Sequence, residues 1–159
     1  MLYILYFLTA AAIVGLDQLV KHLVVQKIAL NGVVKVIPGL IHLTHVHNTG
    51  AAFSMLSGQR WPLLVLTGVC ILVVVLVLLK AKLPKTANWA LAMVLGGAVG
   101  NLIDRVAQGY VVDMFEVEFM RFAVFNVADI FVVCGGILLG LWLLLTWKKP
   151  EEKTDAAGD

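Results

Sequence analysis

Hydrophobic residues fall into four long runs along this chain, separated by three more polar links. A helix needs about 20 residues to cross the hydrocarbon of a bilayer, and each run is close to that length. The pattern therefore predicts four transmembrane helices. The runs extend from Met1 to about Val25, from Trp61 to Leu79, from Thr86 to Ile103, and from Ala123 to Trp147.

The first run is expected to be a retained span. It lacks a basic segment at its start and a small-residue cleavage site before its polar end, both of which mark a removed signal peptide.

Composition agrees with a polytopic membrane protein, since 61% of the 159 residues are hydrophobic and only 14% are charged. We expect residues 1–150 to form one four-span domain and residues 151–159 a polar tail. Cys70 and Cys134 are expected to be small core residues.

The distribution of Lys and Arg predicts the orientation of the spans, because cytoplasmic links carry the excess of these residues. The short second link and the segment after the fourth span are rich in lysine, whereas the long first link and the third link hold few basic residues. Both termini are therefore predicted to be cytoplasmic. The six lysines on the cytoplasmic side are Lys80, Lys82, Lys85, Lys148, Lys149 and Lys153.

The long first link, about residues 31–60, contains a β-rich pattern. Val33 to Ile37 is followed by a Pro-Gly turn and by an alternating segment up to His47, which predicts a small antiparallel hairpin. The spacing of His42, His45 and His47 does not bring three ligands to one side of a strand, so we interpret them as exposed or interfacial histidines. The predicted fold is an all-α membrane protein with four transmembrane helices and a small extracytoplasmic β-element.

Polar residues inside the spans show helical spacing. Asp17 and Lys21 are four apart, which predicts an ion pair that makes the first span tolerable in lipid. Asn101 and Arg105 share a face at the end of the third span, and Asp104 either pairs with Arg105 or caps the helix end. Small residues that permit close helix packing are Ala92, Gly96 and Gly100 in the third span and Gly136 and Gly140 in the fourth.

Two carboxyl groups flank the same short link at the predicted outer face. Asp113 lies in that link, and Asp129 lies near the start of the fourth span, three residues after the candidate N-cap Asn126. Two carboxyls in one low-dielectric site can share a proton, so that one acts as base and the other as acid. We interpret the pair as the centre of a membrane-embedded aspartyl hydrolase.

Two other classes of protein are compatible with intramembrane charges. A small ion-coupled transporter would use Asp129 and Arg105 in a relay, but no internal repeat is found and the polar residues cluster at one face. In a structural membrane subunit the same residues would serve helix association alone. Cleavage of a precursor by the purified protein distinguishes the hydrolase from both.

Five motifs occur in an order that resembles lipoprotein signal peptidases, the bacterial signal peptidase II family. They are Asp17-Gln18-x-x-Lys21, Asn48-x-Gly50-Ala51-Ala52-Phe53, Gly100-Asn101-x-x-Asp104-Arg105, Val111-Val112-Asp113 and Phe125-Asn126-x-Ala128-Asp129.

The resemblance implies a multi-pass protease of the bacterial cytoplasmic membrane with its active site at the outer face. It implies cleavage of prolipoproteins just before the diacylglyceryl-cysteine, with Asp113 and Asp129 as the catalytic pair and Asp17 with Lys21 as a supporting polar pair. It implies membrane lipids as partners, inhibition by globomycin, and neither a metal nor another cofactor; we expect no nucleic-acid partner. The substrate-binding residues it implies are Asn48, Gly50, Asn101, Arg105 and Asn126.

Overall fold

The computed structural model describes residues 2–50 and 57–146, which form four long helices and a small sheet. All four helices are long and apolar enough to cross a membrane, as the hydrophobic pattern predicts. In chain order the elements are α1 (Leu2–Lys27), β1 (Val33–Ile37), β2 (Ile41–Asn48), α2 (Arg60–Lys80), α3 (Lys85–Ala107), β3 (Val111–Val117) and α4 (Val127–Thr146).

Helix α3 is the centre of the bundle and packs against the other three helices. Its buried face carries mainly Ala and Gly, whereas most Leu and Val side chains of α2 and α4 are exposed. A bilayer covers such apolar surface, so small residues face the neighbouring helices and large ones face lipid. Cys70 and Cys134 are both exposed, so the prediction that they are core residues is wrong.

Glycines of α3 allow close helix contacts. A Cβ at Gly96 would lie 2.8 Å from the Cβ of Ile13, and a Cβ at Gly100 would lie 2.6 Å from Asp17 Oδ2. A Cβ at Gly97 would collide with the carbonyl oxygen of Ala128. The predicted small-residue stripe of the third span therefore packs as expected.

The prediction that Gly136 and Gly140 permit close helix packing in the fourth span is wrong. A Cβ added at Gly136 or Gly140 would have no atom within 4 Å among the residues that the structure describes, whereas a Cβ at Gly135 would lie 2.7 Å from the carbonyl oxygen of Ala90. The four-residue spacing is therefore present, but it lies on the face of α4 that does not contact α3.

The sheet has three antiparallel strands in the order β1-β2-β3. The predicted hairpin is β1 and β2, joined through Gly39, which adopts a positive φ of 77°. Strand β3 is absent from the sequence prediction, which treats residues 111–117 as part of a link. Its pairing aligns Asn48 with Val111 and Val46 with Asp113, so the sheet carries Asp113 to the end of the bundle that we call the sheet end.

The three histidines of β2 have different surroundings. His45 is buried and its Nδ1 lies 3.0 Å from the carbonyl oxygen of Ile28, so the prediction of an exposed or interfacial residue is wrong for His45. His42 is partly exposed and its Nε2 lies 2.9 Å from a carboxylate oxygen of Glu118. The register of β2 shifts between Leu43 and Val46, which breaks the simple alternation assumed from the sequence.

A buried polar cluster joins α1 to α3 and contains the ion pair expected from the i, i+4 spacing. Lys21 Nζ lies 2.8 Å from Asp17 Oδ2 and 3.0 Å from Asp104 Oδ2, with all three side chains at most 5% exposed. The expectation that Asp104 pairs with Arg105 or caps the helix is therefore wrong. Asp104 turns towards α1, because the two faces of α3 separate residues that are adjacent in sequence.

The remaining oxygens of the cluster accept hydrogen bonds from other elements. Asp17 Oδ1 accepts the backbone N–H of Ala128 at 2.9 Å, and Asp104 accepts the side-chain amide of Gln18 at 2.9 Å and the backbone N–H of Val112 at 3.1 Å. The cluster thus ties α1, α3, β3 and the first turn of α4 together.

The glycine contacts predict opposite effects of two adjacent substitutions in α4. Gly135→Ala should lower the free energy of unfolding by about 1–3 kcal/mol, because the new methyl group meets the backbone of α3. Gly136→Ala adds the same atom where the described residues leave open space, and it should be neutral or slightly stabilising. Thermal unfolding in detergent measures both, and equal melting temperatures would contradict the packing assignment.

The polar cluster predicts strong coupling between Asp17 and Lys21. Lys21→Met should cost about 3–5 kcal/mol, because it leaves two buried carboxylates without a cation. Asp17→Asn should cost less, since Lys21 keeps Asp104 and the amide oxygen can still accept from Ala128. The double substitution should recover part of the loss of Lys21→Met. Unfolding titrations of the four proteins measure the coupling, and strictly additive losses would rule it out.

Candidate active site

Asp113 and Asp129 face one cavity at the sheet end of the bundle. Asp113 comes from β3, and Asp129 comes from the first turn of α4. The cavity has a volume of about 710 Å³. Asn48, Asn101, Arg105 and Asn126 also line it, so the structure brings together at this cavity the carboxyls and amides that the sequence singles out.

Asp113 is held by two side-chain amides. Asn48 Nδ2 donates to Asp113 Oδ2 at 2.8 Å, and Asn126 Nδ2 donates to Asp113 Oδ1 at 2.6 Å. The residue is 2% exposed. Burial disfavours the charged form and, with the nearby charge of Asp129, raises the pKa of Asp113 to about 6, although the amide hydrogen bonds oppose this rise.

Asp129 is held by α3 and by its own helix start. Asn101 Nδ2 donates to Asp129 Oδ1 at 2.7 Å, and the backbone N–H of Asn126 donates to Asp129 Oδ2 at 3.1 Å. In return, Asn126 Oδ1 accepts the backbone N–H of Asp129 at 2.9 Å. This reciprocal pattern is a capping box, with Asn126 as the N-cap that the sequence predicts.

The two carboxyl groups are linked by the amides of Asn101 and Asn126. Asn126 Nδ2 donates to Asn101 Oδ1 at 3.1 Å as well as to Asp113. Asn101 Oδ1 also accepts a hydrogen bond from Lys21 Nζ at 3.0 Å. A continuous hydrogen-bond network therefore runs from the polar cluster of α1 to both aspartates.

Arg105 holds the chain that follows β2. Its Nη2 donates to the carbonyl oxygen of Gly50 at 3.0 Å, and the N–H of Gly50 donates to Asn48 Oδ1 at 2.9 Å. Arg105 Nε is buried without a partner among residues 2–50 and 57–146. The Ala51-Ala52-Phe53 part of the predicted motif lies outside the described residues.

The cavity wall is mixed in character. Around the carboxyls it is polar, and along α4 it is formed by apolar side chains that include Ile130 and Val133. His47 also lines the cavity and stacks on Tyr110 with ring centroids 3.7 Å apart. Burial and the neighbouring His45 lower the pKa of His47, so its imidazole is neutral at pH 7.

Sequence reasoning misses two contributions to this site. It assigns no role to Gln18, although Gln18 bonds Asp104, and it does not foresee that Asn101 bridges Lys21 and Asp129. The i, i+4 relation of Asn101 to Arg105 carries no sign of a partner on α1. Within the part of the chain that the structure describes, no group of three or more His, Cys, Asp or Glu residues is placed to hold a metal ion.

This arrangement suits proton transfer between two carboxyl groups. Amide donors fix the carboxyl oxygens without carrying charge, so one proton can be retained by the pair. The cavity that both groups line has space for a water molecule and a peptide, which are the reactants of aspartyl hydrolysis.

Comparison with known proteins assigns the chain to a family. Residues 9–145 match the family model described as signal peptidase (SPase) II. The lipoprotein signal peptidase of Enterococcus faecalis is 45% identical over 95% of this chain and 94% of its own, and that of Brevibacillus brevis is 41% identical over 91% and 97%.

Solved structures of bacterial membrane enzymes share the fold. One aligns with a TM-score of 0.83 at 29% identity, covering 91% of this chain and 93% of its own, and another aligns with a TM-score of 0.82 at 30% identity, covering 89% and 94%. The family match extends from the first helix to the fourth. The chain belongs to the signal peptidase II family, and it is a multi-pass bacterial membrane protease.

Proposed function

We propose that this enzyme removes signal peptides from lipid-modified prolipoproteins by hydrolysing the peptide bond just before the diacylglyceryl-cysteine, with Asp113 and Asp129 as the catalytic pair. Removal of signal peptides from prolipoproteins is the activity of the family. The observation that carries the residue assignment is that both carboxyls face one cavity while neutral amides hold their oxygens.

The proposed reaction is general acid–base hydrolysis. One carboxylate takes a proton from a water molecule, whose oxygen attacks the scissile carbonyl carbon. The other carboxyl, which is protonated, donates its proton to the carbonyl oxygen and so stabilises the tetrahedral intermediate. As the C–N bond breaks, the leaving amine receives the proton that the first carboxyl took from water. A hydroxyl of the intermediate returns its proton to the second carboxylate as the product carboxyl group forms, so the pair regains its starting state.

The substrate backbone is proposed to bind beside Gly50, Asn48 and Arg105. Asn101 and Asn126 each already donate to an aspartate, so we assign them first to holding the pair and second to contacting the peptide. Arg105 retains an unpaired Nε among the described residues, and this N–H is available to a substrate carbonyl. The apolar wall along α4 offers a path by which the lipid of the substrate cysteine stays in the bilayer.

The proposed orientation puts both termini in the cytoplasm and the sheet end at the outer face of the cytoplasmic membrane. Lys80, Lys82 and Lys85 lie at the link between α2 and α3, which supports this orientation by the positive-inside rule. Lys148, Lys149, Lys153 and the proposed polar tail 151–159 lie outside the described residues. Residues 1–150 are proposed to act as one domain. Globomycin is proposed to bind the cavity that Asp113 and Asp129 line.

Replacement of either aspartate should abolish cleavage. Asp113→Asn and Asp129→Asn keep the shape of the side chain but cannot exchange the proton, so turnover of a lipid-modified precursor by the purified enzyme should fall below detection. The double variant should be no worse than either single one, because the pair acts as a unit. Glu116→Gln is the matched control, since Glu116 lies on the same strand outside the cavity, and it should keep full activity.

The precursor assay also separates the peptidase from its rivals. A transporter or a structural subunit would be folded and yet leave the precursor intact. Failure of the folded wild-type protein to cut would refute the proposed function, and substantial activity in one aspartate variant would remove that residue from the pair.

Activity should follow a bell-shaped pH profile. It should fall at low pH, where both carboxyls are protonated, and at high pH, where both are ionised. Because burial raises the pKa of Asp113 to about 6, the shared proton is retained above the range of an ordinary aspartic acid, and we expect the alkaline limb to lie at pH 6 or above. Initial rates across pH measure this.

His47 is the control for the pH profile, because its imidazole lines the same cavity and is itself titratable, with a pKa lowered by burial and by His45. In His47→Gln both limbs should persist. Loss of the alkaline limb in that variant would assign the limb to the imidazole rather than to the aspartates.

A further inference from the structure

We propose that Lys21 is a positioning residue for the catalytic pair, acting through the side-chain amide of Asn101. This inference rests on the proposed function, because it concerns the same two aspartates. It goes beyond a supporting ion pair, since it gives the ammonium group a role in catalysis that can be lost while the fold is kept.

The ammonium group of Lys21 uses all of its donors inside the protein. It has three N–H bonds and three acceptors within 3.0 Å, which are Asp17 Oδ2, Asp104 Oδ2 and Asn101 Oδ1. Lys21 is 3% exposed. Two of the three acceptors are carboxylates that neutralise its charge. The third is the neutral amide of Asn101, which also donates to Asp129 in the active site.

The contact with Lys21 determines which way the Asn101 amide points. An ammonium group can only donate, so the oxygen of Asn101 must face Lys21 and its NH₂ group must face Asp129, which it reaches at 2.7 Å. Asn126 also donates to this oxygen, but over 3.1 Å and while donating to Asp113. A charged donor makes the stronger hydrogen bond, so Lys21 is the main constraint on the amide.

A reversed Asn101 amide would harm the site in two ways. Its oxygen would face the carboxyl of Asp129, and its NH₂ group would face the NH₂ group of Asn126. Asp129 would lose the donor that fixes Oδ1 relative to the scissile bond. Misplacement of a reacting group by about 1 Å can lower a rate by about a hundredfold.

Lys21 also acts on the pair through its charge. It is among the groups that lower the pKa of Asp113, against the larger effect of burial. The other charged or titratable groups nearby are Asp17 on α1 and Asp104 on α3, which contact Lys21 itself, and Arg105 on α3 and His47 on β2, which line the cavity of the pair. Removal of Lys21 should therefore favour the protonated form of Asp113 and move the pH profile to higher pH.

The test compares Asp17→Asn with the double variant Asp17→Asn/Lys21→Met. Both lack the carboxylate of Asp17, but only the first keeps Lys21 on Asp104 and Asn101. Relative to Asp17→Asn, we expect the kcat of the double variant to fall by about tenfold to a hundredfold, with little change in KM. Its bell-shaped pH profile of activity should be displaced to higher pH. Activity is measured per folded enzyme on a lipid-modified precursor, with thermal unfolding recorded for each protein.

Lys21→Gln provides the test where the double variant does not fold. Its amide can donate to Asn101 without a charge, so we expect a bell-shaped pH profile displaced to higher pH relative to that of Asp17→Asn. The inference is overturned if the double variant, or Lys21→Gln in its absence, has the kcat and pH profile of Asp17→Asn. That outcome leaves the proposed function intact, whereas a wild-type protein that does not cut would refute the function itself.

Discussion

Burial of the Lys21 ammonium group between two carboxylates is the interaction on which the rest of this structure depends. A charge in a lipid-covered bundle is costly unless it is paired and hydrogen-bonded, and here the partners come from different helices. Asp17 lies one turn before Lys21 on α1, and Asp104 lies at the end of α3. Gly100 is required for this contact, because a Cβ there would lie 2.6 Å from Asp17 Oδ2. Helix packing and charge pairing therefore fix each other.

The same cluster aligns the elements that carry the catalytic pair. The backbone N–H of Ala128 bonds Asp17, and that of Val112 bonds Asp104. These two residues are the immediate neighbours of Asp129 and Asp113. The buried charged cluster of α1 and α3 therefore positions both aspartates, one on α4 and the other on β3. Stability and activity share this framework, which is why a positioning role must be tested against a variant with the same loss of charge at Asp17.

The parts of the structure that follow local rules could be predicted from the sequence. Span length and hydrophobicity predict the four helices, and i, i+4 spacing predicts the contact of Asp17 with Lys21. Prediction failed where tertiary packing chose between arrangements that fit the pattern equally. Residues 111–117 suit a strand, but only the edge offered by β2 makes them β3. Asp104 has a nearer basic neighbour in Arg105 but pairs with Lys21. The sequence could not predict this partner, because no spacing rule indicates which face of α3 turns towards α1.

The type of donor around the aspartates explains how a buried pair can remain able to transfer protons. A cation bonded directly to either carboxyl would favour ionisation of both and remove the shared proton. Asn48, Asn101 and Asn126 instead supply neutral donors, which fix the oxygens while burial holds the pKa of Asp113 at about 6. Lys21 is separated from Asp129 by one amide. At that distance its charge orders the site through Asn101 without occupying the oxygens that the reaction needs.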